Sequence, residues 1–148
     1  MRVVVATALY LCVHGCTSGN GGAVELSWRL RPSSSALPDK FVDCAANQQP
    51  GAGVVTRIRL DWTVDGVPGS DSWKCTDNHG VTGFDLPTGV ATLAMQPECE
   101  TSDPLPSTYI APAPIVRDVV AGETISLGAV EFVLQVNDCS VMHPCICQ

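Results

Sequence analysis

The chain has 148 residues, enough for one domain with a hydrophobic core and too few for two full-sized domains. It carries 8 Lys and Arg against 15 Asp and Glu, a net charge of −7 with no basic cluster, and this excludes nucleic acid as a partner because phosphate binding depends largely on Lys and Arg. The 13 Gly and 11 Pro favour short strands joined by tight turns over a helical bundle or a disordered chain.

The N-terminus has the pattern of an export signal. Met1-Arg2 supplies a positive charge, and residues 3–13 are apolar except for Thr7. This stretch is about half the ~20 apolar residues that a transmembrane helix needs. The sequence therefore predicts a signal peptide over residues 1–15.

Val13-His14-Gly15-Cys16 resembles the lipobox of bacterial lipoproteins, in which the cysteine is lipidated and becomes the new N-terminus. The resemblance implies a lipid on Cys16, which tethers the protein to a membrane of the cell envelope. In such proteins a residue other than Asp after the cysteine, here Thr17, indicates the outer membrane, facing the periplasm or the exterior. Residues 16–23 are rich in Gly and predict a flexible tether. The alternative is an ordinary cleaved leader and a soluble exported protein.

Two long strands are predicted in the first half of the domain. Apolar and polar residues alternate without exception from Val24 to Arg31, and a regular alternation runs from Val54 to Asp65, as in half-buried strands. Asp65-Gly66 then predicts a turn into a further strand that ends near residue 75. Between the two long strands, residues 32–53 have loop composition.

The second half of the chain predicts four more strands, over residues 81–86, 90–95, 115–120 and 125–136. A proline-spaced connection over residues 104–114 separates the two pairs, and proline disfavours a central strand there. In the last strand the apolar residues lie at odd-numbered positions up to Leu127 and at even-numbered positions from Val130, with Gly128 between them. A β-bulge at Gly128 would restore one inward face.

These elements predict an all-β protein, a single immunoglobulin-like or transthyretin-like β-sandwich of about seven strands over residues 24–148. The segment Leu86-Pro87-Thr88-Gly89-Val90-Ala91-Thr92-Leu93 resembles a turn motif of transthyretin-like and carboxypeptidase-regulatory-like domains, with Ala91 where that family has tyrosine. Val119-Val120-Ala121-Gly122 is similar to a later motif of the same family. The resemblance implies a spacer, an adhesion module or a carbohydrate-associated module without an active site of its own.

With the leader removed and Cys16 lipidated, an even number of cysteines remains, which predicts a disulfide-stapled domain in an exported protein. Six cysteines allow 15 pairings. We expect Cys44 to pair with Cys75, because each flanks the second hairpin, and Cys99 to pair with a cysteine of the tail. The six candidates are Cys44, Cys75, Cys99, Cys139, Cys145 and Cys147.

The C-terminal tail also has the residue types of a soft metal site. Thiolate, thioether and imidazole groups are ligands of copper(I) and zinc. An oxidising compartment favours disulfides instead, and Cys-x-Cys is not a common zinc spacing, so no cofactor is predicted. Calcium at Asp65, Asp71 and Asp77 is a further alternative without EF-hand spacing. The candidate soft ligands are Cys139, Met142, His143, Cys145 and Cys147.

No catalytic constellation stands out. The mature chain has only His79 and His143 as candidate bases, and Asp77-Asn78-His79-Gly80 has the composition of a turn. Four carboxylates remain open as a glycoside-hydrolysis pair, namely Asp61, Asp65, Asp85 and Glu98.

We therefore expect a non-catalytic envelope lipoprotein that binds an envelope protein or a glycan, or serves as a structural module. Trp73 or Tyr109 are its expected contact residues. The alternative function is metal binding by the C-terminal tail.

Overall fold

The computed structural model describes residues 19–33, 41–45, 54–100, 103–136, 139–140 and 142–147. The predicted signal peptide and Cys16 lie outside these residues. The described chain forms two four-stranded sheets that pack face to face, and the predicted all-β sandwich is confirmed. The strands are β1 (Ala23–Pro32), β2 (Val55–Val64), β3 (Val67–Lys74), β4 (His79–Val81), β5 (Gly89–Cys99), β6 (Tyr109–Ile110), β7 (Ile115–Val119) and β8 (Thr124–Leu134).

One sheet has the strand order β4-β1-β8-β6 and the other has the order β3-β2-β5-β7. The alternation in β1 and β2 buries one side of each strand between the sheets, because successive side chains of a strand point to opposite faces. The core between them is aliphatic with one phenylalanine and one tryptophan at its centre. Its largest members include Leu26, Trp28, Ile58, Leu60, Leu93, Phe132 and Leu134.

The predicted bulge at Gly128 is present. Glu25 and Ser27 of β1 pair with Ser126 and Ala129 of β8, so three steps along β8 match two along β1. Gly128 has a φ of 67°, a left-handed conformation that glycine adopts without steric cost. Because of this extra residue, both halves of β8 direct their apolar side chains into the same core.

The strand predicted over residues 81–86 is wrong for most of its length. Strand β4 ends at Val81, and the chain then turns through residues 82–88. Gly83 and Pro87 interrupt this segment, and only Leu86 returns to a sheet, through an isolated bridge to Gly22. The proline-spaced connection, in contrast, contains the short strand β6.

The predicted tether over residues 16–23 is too long, because its last residues belong to the domain. Gly21 and Gly22 are buried. Gly22 and Leu86 each donate a backbone hydrogen bond to the other, at 3.0 and 3.2 Å, and Gly122 donates to the carbonyl of Gly21 at 2.9 Å. The folded domain therefore begins before Val24.

Strand directions define two ends of the sandwich. The N-terminal end comprises the start of β1, the β2–β3 turn, residues 82–88 and the β7–β8 turn, as the registers Val64 with Ala91, Gly89 with Val119 and Ala23 with Thr124 require. The disulfide end comprises the opposite strand ends and the loops that follow them. All three disulfides of the described residues lie there.

Candidate binding site at the disulfide end

The first disulfide joins Cys44 to Cys75, the pair expected from the sequence. It connects the loop after β1 to the end of β3 across 31 residues. Cys75 is buried, and the indole nitrogen of Trp28 donates a hydrogen bond to its carbonyl oxygen at 2.8 Å. Trp28 in turn stacks on Trp73, with ring centroids 6.3 Å apart. This loop is therefore fixed directly to the core.

The other two disulfides hold the C-terminal tail. Cys99, at the end of β5, pairs with Cys147, and Cys139 pairs with Cys145. Between them Ile146 is 1% exposed, and its backbone nitrogen donates to the carbonyl of Gln135 at 2.7 Å. The tail is thus packed onto the sandwich.

The tip of the tail is a tight turn. Ser140 and His143 exchange two backbone hydrogen bonds of 2.8 and 3.1 Å, and the Ser140 hydroxyl also accepts from the His143 backbone nitrogen. Met142 lies within this turn with 86% of its surface exposed. The small disulfide ring between Cys139 and Cys145 therefore presents a flexible apolar side chain to solvent.

Two clefts flank these cross-links. A cleft of about 420 Å³ lies beside the Cys44–Cys75 disulfide, and a second of about 340 Å³ lies between the tail and the segment before β6. The first is lined by Asp43, Cys44, Ala45, Val54, Val55, Thr56, Lys74 and Thr76. The second is lined by Asp103, Pro104, Leu105, Thr108, Pro144, Cys145 and Cys147. Both suit a small or extended ligand that presents apolar groups.

An ion cluster covers the outer face of the β3-β2-β5-β7 sheet near this end. Arg59 contacts Glu98 at 2.9 Å, Asp61 at 3.2 Å and Asp103 at 3.9 Å. Burial acts to lower the pKa of Arg59, but the charges and hydrogen bonds of Asp61 and Glu98 outweigh burial and raise this pKa above its ordinary value. The cluster is a structural ion network.

The four carboxylates considered for glycoside hydrolysis are not brought together. Asp61 and Glu98 both face Arg59, whereas Asp65 lies in the β2–β3 turn and Asp85 lies between β4 and β5 at the N-terminal end. Asp61 and Glu98 are both engaged in ion pairs with the same arginine. The described geometry gives this reading no support.

Most of the candidate metal ligands of the tail are engaged in disulfides. Cys139, Cys145 and Cys147 are all in disulfides, which leaves Met142 and His143 as donors. Among the residues that the structure describes, no group of three or more His, Cys, Asp or Glu is close enough to hold a metal ion. The calcium candidates Asp65, Asp71 and Asp77 are therefore not assembled into a site either.

The residues around His79 form a turn, as their composition suggested. Asn78 has a φ of 54°, a conformation that asparagine tolerates. The exposed imidazole of His79 lies 3.0 Å from the carboxylate of Glu25. Across the described part of the chain, the His79 imidazole has a surface carboxylate as its side-chain partner and not a nucleophile.

Trp73 and Tyr109, the expected contact residues, are half-buried against the core, and the Trp73 indole donates to the Val81 carbonyl at 3.3 Å. The exposed large apolar side chains of the disulfide end are others: Phe41, Leu105, Ile110 and Met142. Leu105 stands between two prolines and Met142 between two disulfide-bonded cysteines. Apolar residues outside the predicted strands are the sequence signal that could have identified these exposed side chains.

Comparison with known proteins yields no match: no family model, no curated protein and no solved structure is significantly similar to the chain. Across the described ranges, no helix is long and apolar enough to cross a membrane.

Proposed function

We propose that the protein is a non-catalytic lipoprotein of the cell envelope. A lipid on Cys16 holds it to the outer membrane, and the loops of the disulfide end bind its partner. The observation that carries this proposal is that the two ends of the sandwich have different features. The chain enters the domain at Gly19, which lies against Phe84 at the N-terminal end, whereas the disulfides, the clefts and the exposed Met142 lie at the opposite end.

This difference between the two ends is what a tethered binding module requires. A lipid three residues before Gly19 brings the N-terminal end to the membrane, so the disulfide end faces outward. Loops positioned by a rigid scaffold commonly carry binding residues. Cross-links that rigidify such loops before binding reduce the entropy lost on association. An envelope protein or a glycan is the class of partner that a membrane-tethered domain meets there.

The lining of the clefts supports binding rather than catalysis. Among the described residues, neither of the two larger clefts has a histidine in its lining. A smaller cavity of about 210 Å³ is lined by Ser107 and His143, but no carboxylate of the described chain joins them there, and a triad needs a third group to orient the imidazole.

The decisive experiment is the intact mass of the protein extracted from membranes, before and after reduction. We expect a chain that begins at Cys16, carries acyl groups and gains about 6 Da on reduction, two hydrogens for each of three disulfides. A Cys16→Ala variant is the control and should appear without acyl mass. A mature chain that begins elsewhere and lacks lipid contradicts the proposal.

The metal-binding alternative has a direct test in the same preparation. Thiol titration of the unreduced protein should find no free thiol in the tail, because all three tail cysteines are paired. Two or more titratable tail thiols would restore thiolate ligation as the better function.

A further inference from the structure

Exposed apolar side chains surround the point where the chain enters the domain. Phe84, Val67 and Val120 have 45%, 55% and 47% of their surface exposed. Phe84 lies between β4 and β5, Val67 at the start of β3, and Val120 just after β7, so all three belong to the N-terminal end.

The backbone of two of these residues lies directly beside the entering chain. A Cβ atom on Gly19 would stand 2.3 Å from the carbonyl oxygen of Phe84, and one on Gly22 would stand 2.8 Å from that of Val120. Residues 19–22 therefore run between the Phe84 segment and the β7–β8 turn. This packing fixes the direction in which the chain leaves the domain.

The reach of the preceding chain is short. Two residues, Thr17 and Ser18, lie between Cys16 and Gly19, and three residue steps span at most ~11 Å. The headgroup layer on each side of a bilayer is about 5 to 8 Å thick. A lipid on Cys16 therefore keeps Gly19 within about 11 Å of the lipidated residue, close enough for the N-terminal end to reach the headgroup layer, where exposed apolar side chains gain by leaving water.

We propose that the N-terminal end is a membrane-contact surface that inserts Phe84, Val67 and Val120 into the headgroup region of the bilayer. The inference rests on the proposed lipidation of Cys16, which supplies the anchorage that three side chains alone do not. This contact sets the orientation of the domain, with the disulfide end farthest from the membrane.

The charges of this surface select the kind of bilayer. Exposed Asp65, Asp85, Asp118 and Glu123 lie at or near this end and outnumber its one nearby basic residue, Arg117 of β7, while Arg57 and Lys74 lie at the disulfide end. An acidic rim is repelled by anionic lipids, whose surface potential is negative. The contact is therefore with a zwitterionic lipid surface.

Two matched tryptophan variants of the full lipidated protein test the contact. Phe84→Trp places a probe at the N-terminal end, and Phe41→Trp places one at the disulfide end on a phenylalanine of similar exposure, 56% against 45%. In phosphatidylcholine vesicles with acyl chains brominated near the headgroup, the fluorescence added by Phe84→Trp should be quenched at least about twofold more than that added by Phe41→Trp, because only a side chain at the membrane comes close to the bromine atoms.

Adding anionic phosphatidylglycerol should reduce the quenching of Phe84→Trp, and high salt should restore it. Equal quenching of the two variants in a lipidated, vesicle-bound protein overturns the membrane-contact surface and leaves the lipoprotein proposal intact. A protein without acyl mass that does not sediment with vesicles overturns both. Near-ultraviolet circular dichroism of each variant shows that the fold is retained.

Discussion

The two ends of the sandwich are closed by different means. At the N-terminal end, β2 turns into β3 through Asp65-Gly66 alone, and β7 turns into β8 within four residues. Backbone hydrogen bonds of Gly21 and Gly22 complete the closure. At the disulfide end, long segments follow β1, β5 and β8. The segment after β1 is joined to the end of β3 through Cys44–Cys75, and the segment after β8 is joined to the end of β5 through Cys99–Cys147.

The difference shows where this domain needs covalent links. A tight turn orders few residues, so hydrogen bonds and close glycine packing suffice to hold it. Longer loops lose more entropy when they are closed, and among the described residues the loops of the disulfide end have only the two-residue strand β6 and the Leu30–Val42 bridge to offset that loss. Its cross-links therefore stabilise the part of the molecule that carries the clefts.

The largest effect should come from removing the Cys99–Cys147 disulfide. It closes a segment of 48 residues, for which the chain-entropy model gives a loss of about 4 kcal/mol. Ile146 should also leave the core, because its only covalent restraint on the C-terminal side is Cys147. We expect Cys99→Ala/Cys147→Ala to lower the free energy of unfolding by about this amount in urea denaturation.

The matched control is the small ring of the tail. Cys139→Ala/Cys145→Ala opens a link of only 6 residues, and the same model gives about 2 kcal/mol. If the two double variants lose the same stability, or the small ring proves the more important, loop length is not what the cross-links of this end offset.

Trp28→Phe probes the attachment of the disulfide end to the core. The variant loses the hydrogen bond to the Cys75 carbonyl and leaves a void beside Trp73, so we expect the free energy of unfolding to fall by about 3 kcal/mol. Trp73→Phe is the comparison, because its indole bond to Val81 is longer and exposed. Equal losses for both variants would show that the Cys75 carbonyl bond contributes nothing specific.

Gly21→Ala probes the closure of the N-terminal end. A Cβ atom at this position would stand 2.2 Å from the Leu86 carbonyl oxygen, a backbone atom that moves only if the bridge between Gly22 and Leu86 is disturbed. We expect a loss of about 2 kcal/mol in thermal or urea unfolding. Asn20→Ala, at an exposed neighbour, should change stability by less than about 0.5 kcal/mol, and a similar loss there would mean that crowding is not the cause.

How far the fold follows from the sequence depends on element length. Strands β1 and β2 have ten residues each, and in each the alternation of apolar and polar residues continues for at least eight, which is long enough for a period of two to be unmistakable. The parity change around Gly128 likewise predicted its bulge. Strands β4 and β6 have three and two residues, too few to show a period. Leu86 looked like the end of a strand because it is apolar, but it reaches the core from a turn.

The candidate site was predictable only in part. Cys44 and Cys75 flank the same hairpin, so their pairing follows from the strand predictions. The sequence did not determine which of three cysteines, all within nine residues of one another, pairs with Cys99. The turn between Ser140 and His143 decides which of them returns to β5. The burial of Trp73 arises from Trp28 and from Gly80, where a Cβ would stand 2.2 Å from the indole, contacts that local sequence does not reveal.

The smallest effect concerns a charge on the edge strand β3. Asp71 pairs in register with the buried Leu60, and partial burial, followed by the neighbouring charge of Asp85, raises the pKa of Asp71 above its ordinary value of 3.8. The native state thus binds this proton more tightly than the unfolded state does. Stability therefore falls as pH rises from about 3.8 through the raised pKa, and the loss persists at neutral pH.

Asp71→Asn removes this titration and should stabilise the protein at pH 7 by less than about 1 kcal/mol, since solvent screens the site. The gain should disappear below the ordinary pKa, where Asp71 is protonated in both states, and urea denaturation across this pH range measures it. Asp85→Asn should give a smaller gain, because burial is the larger cause of the shift. If Asp71→Asn were less stable than the parent at pH 7, the ionised carboxylate would be a stabilising feature of β3, and burial would not be what its charge costs the native state.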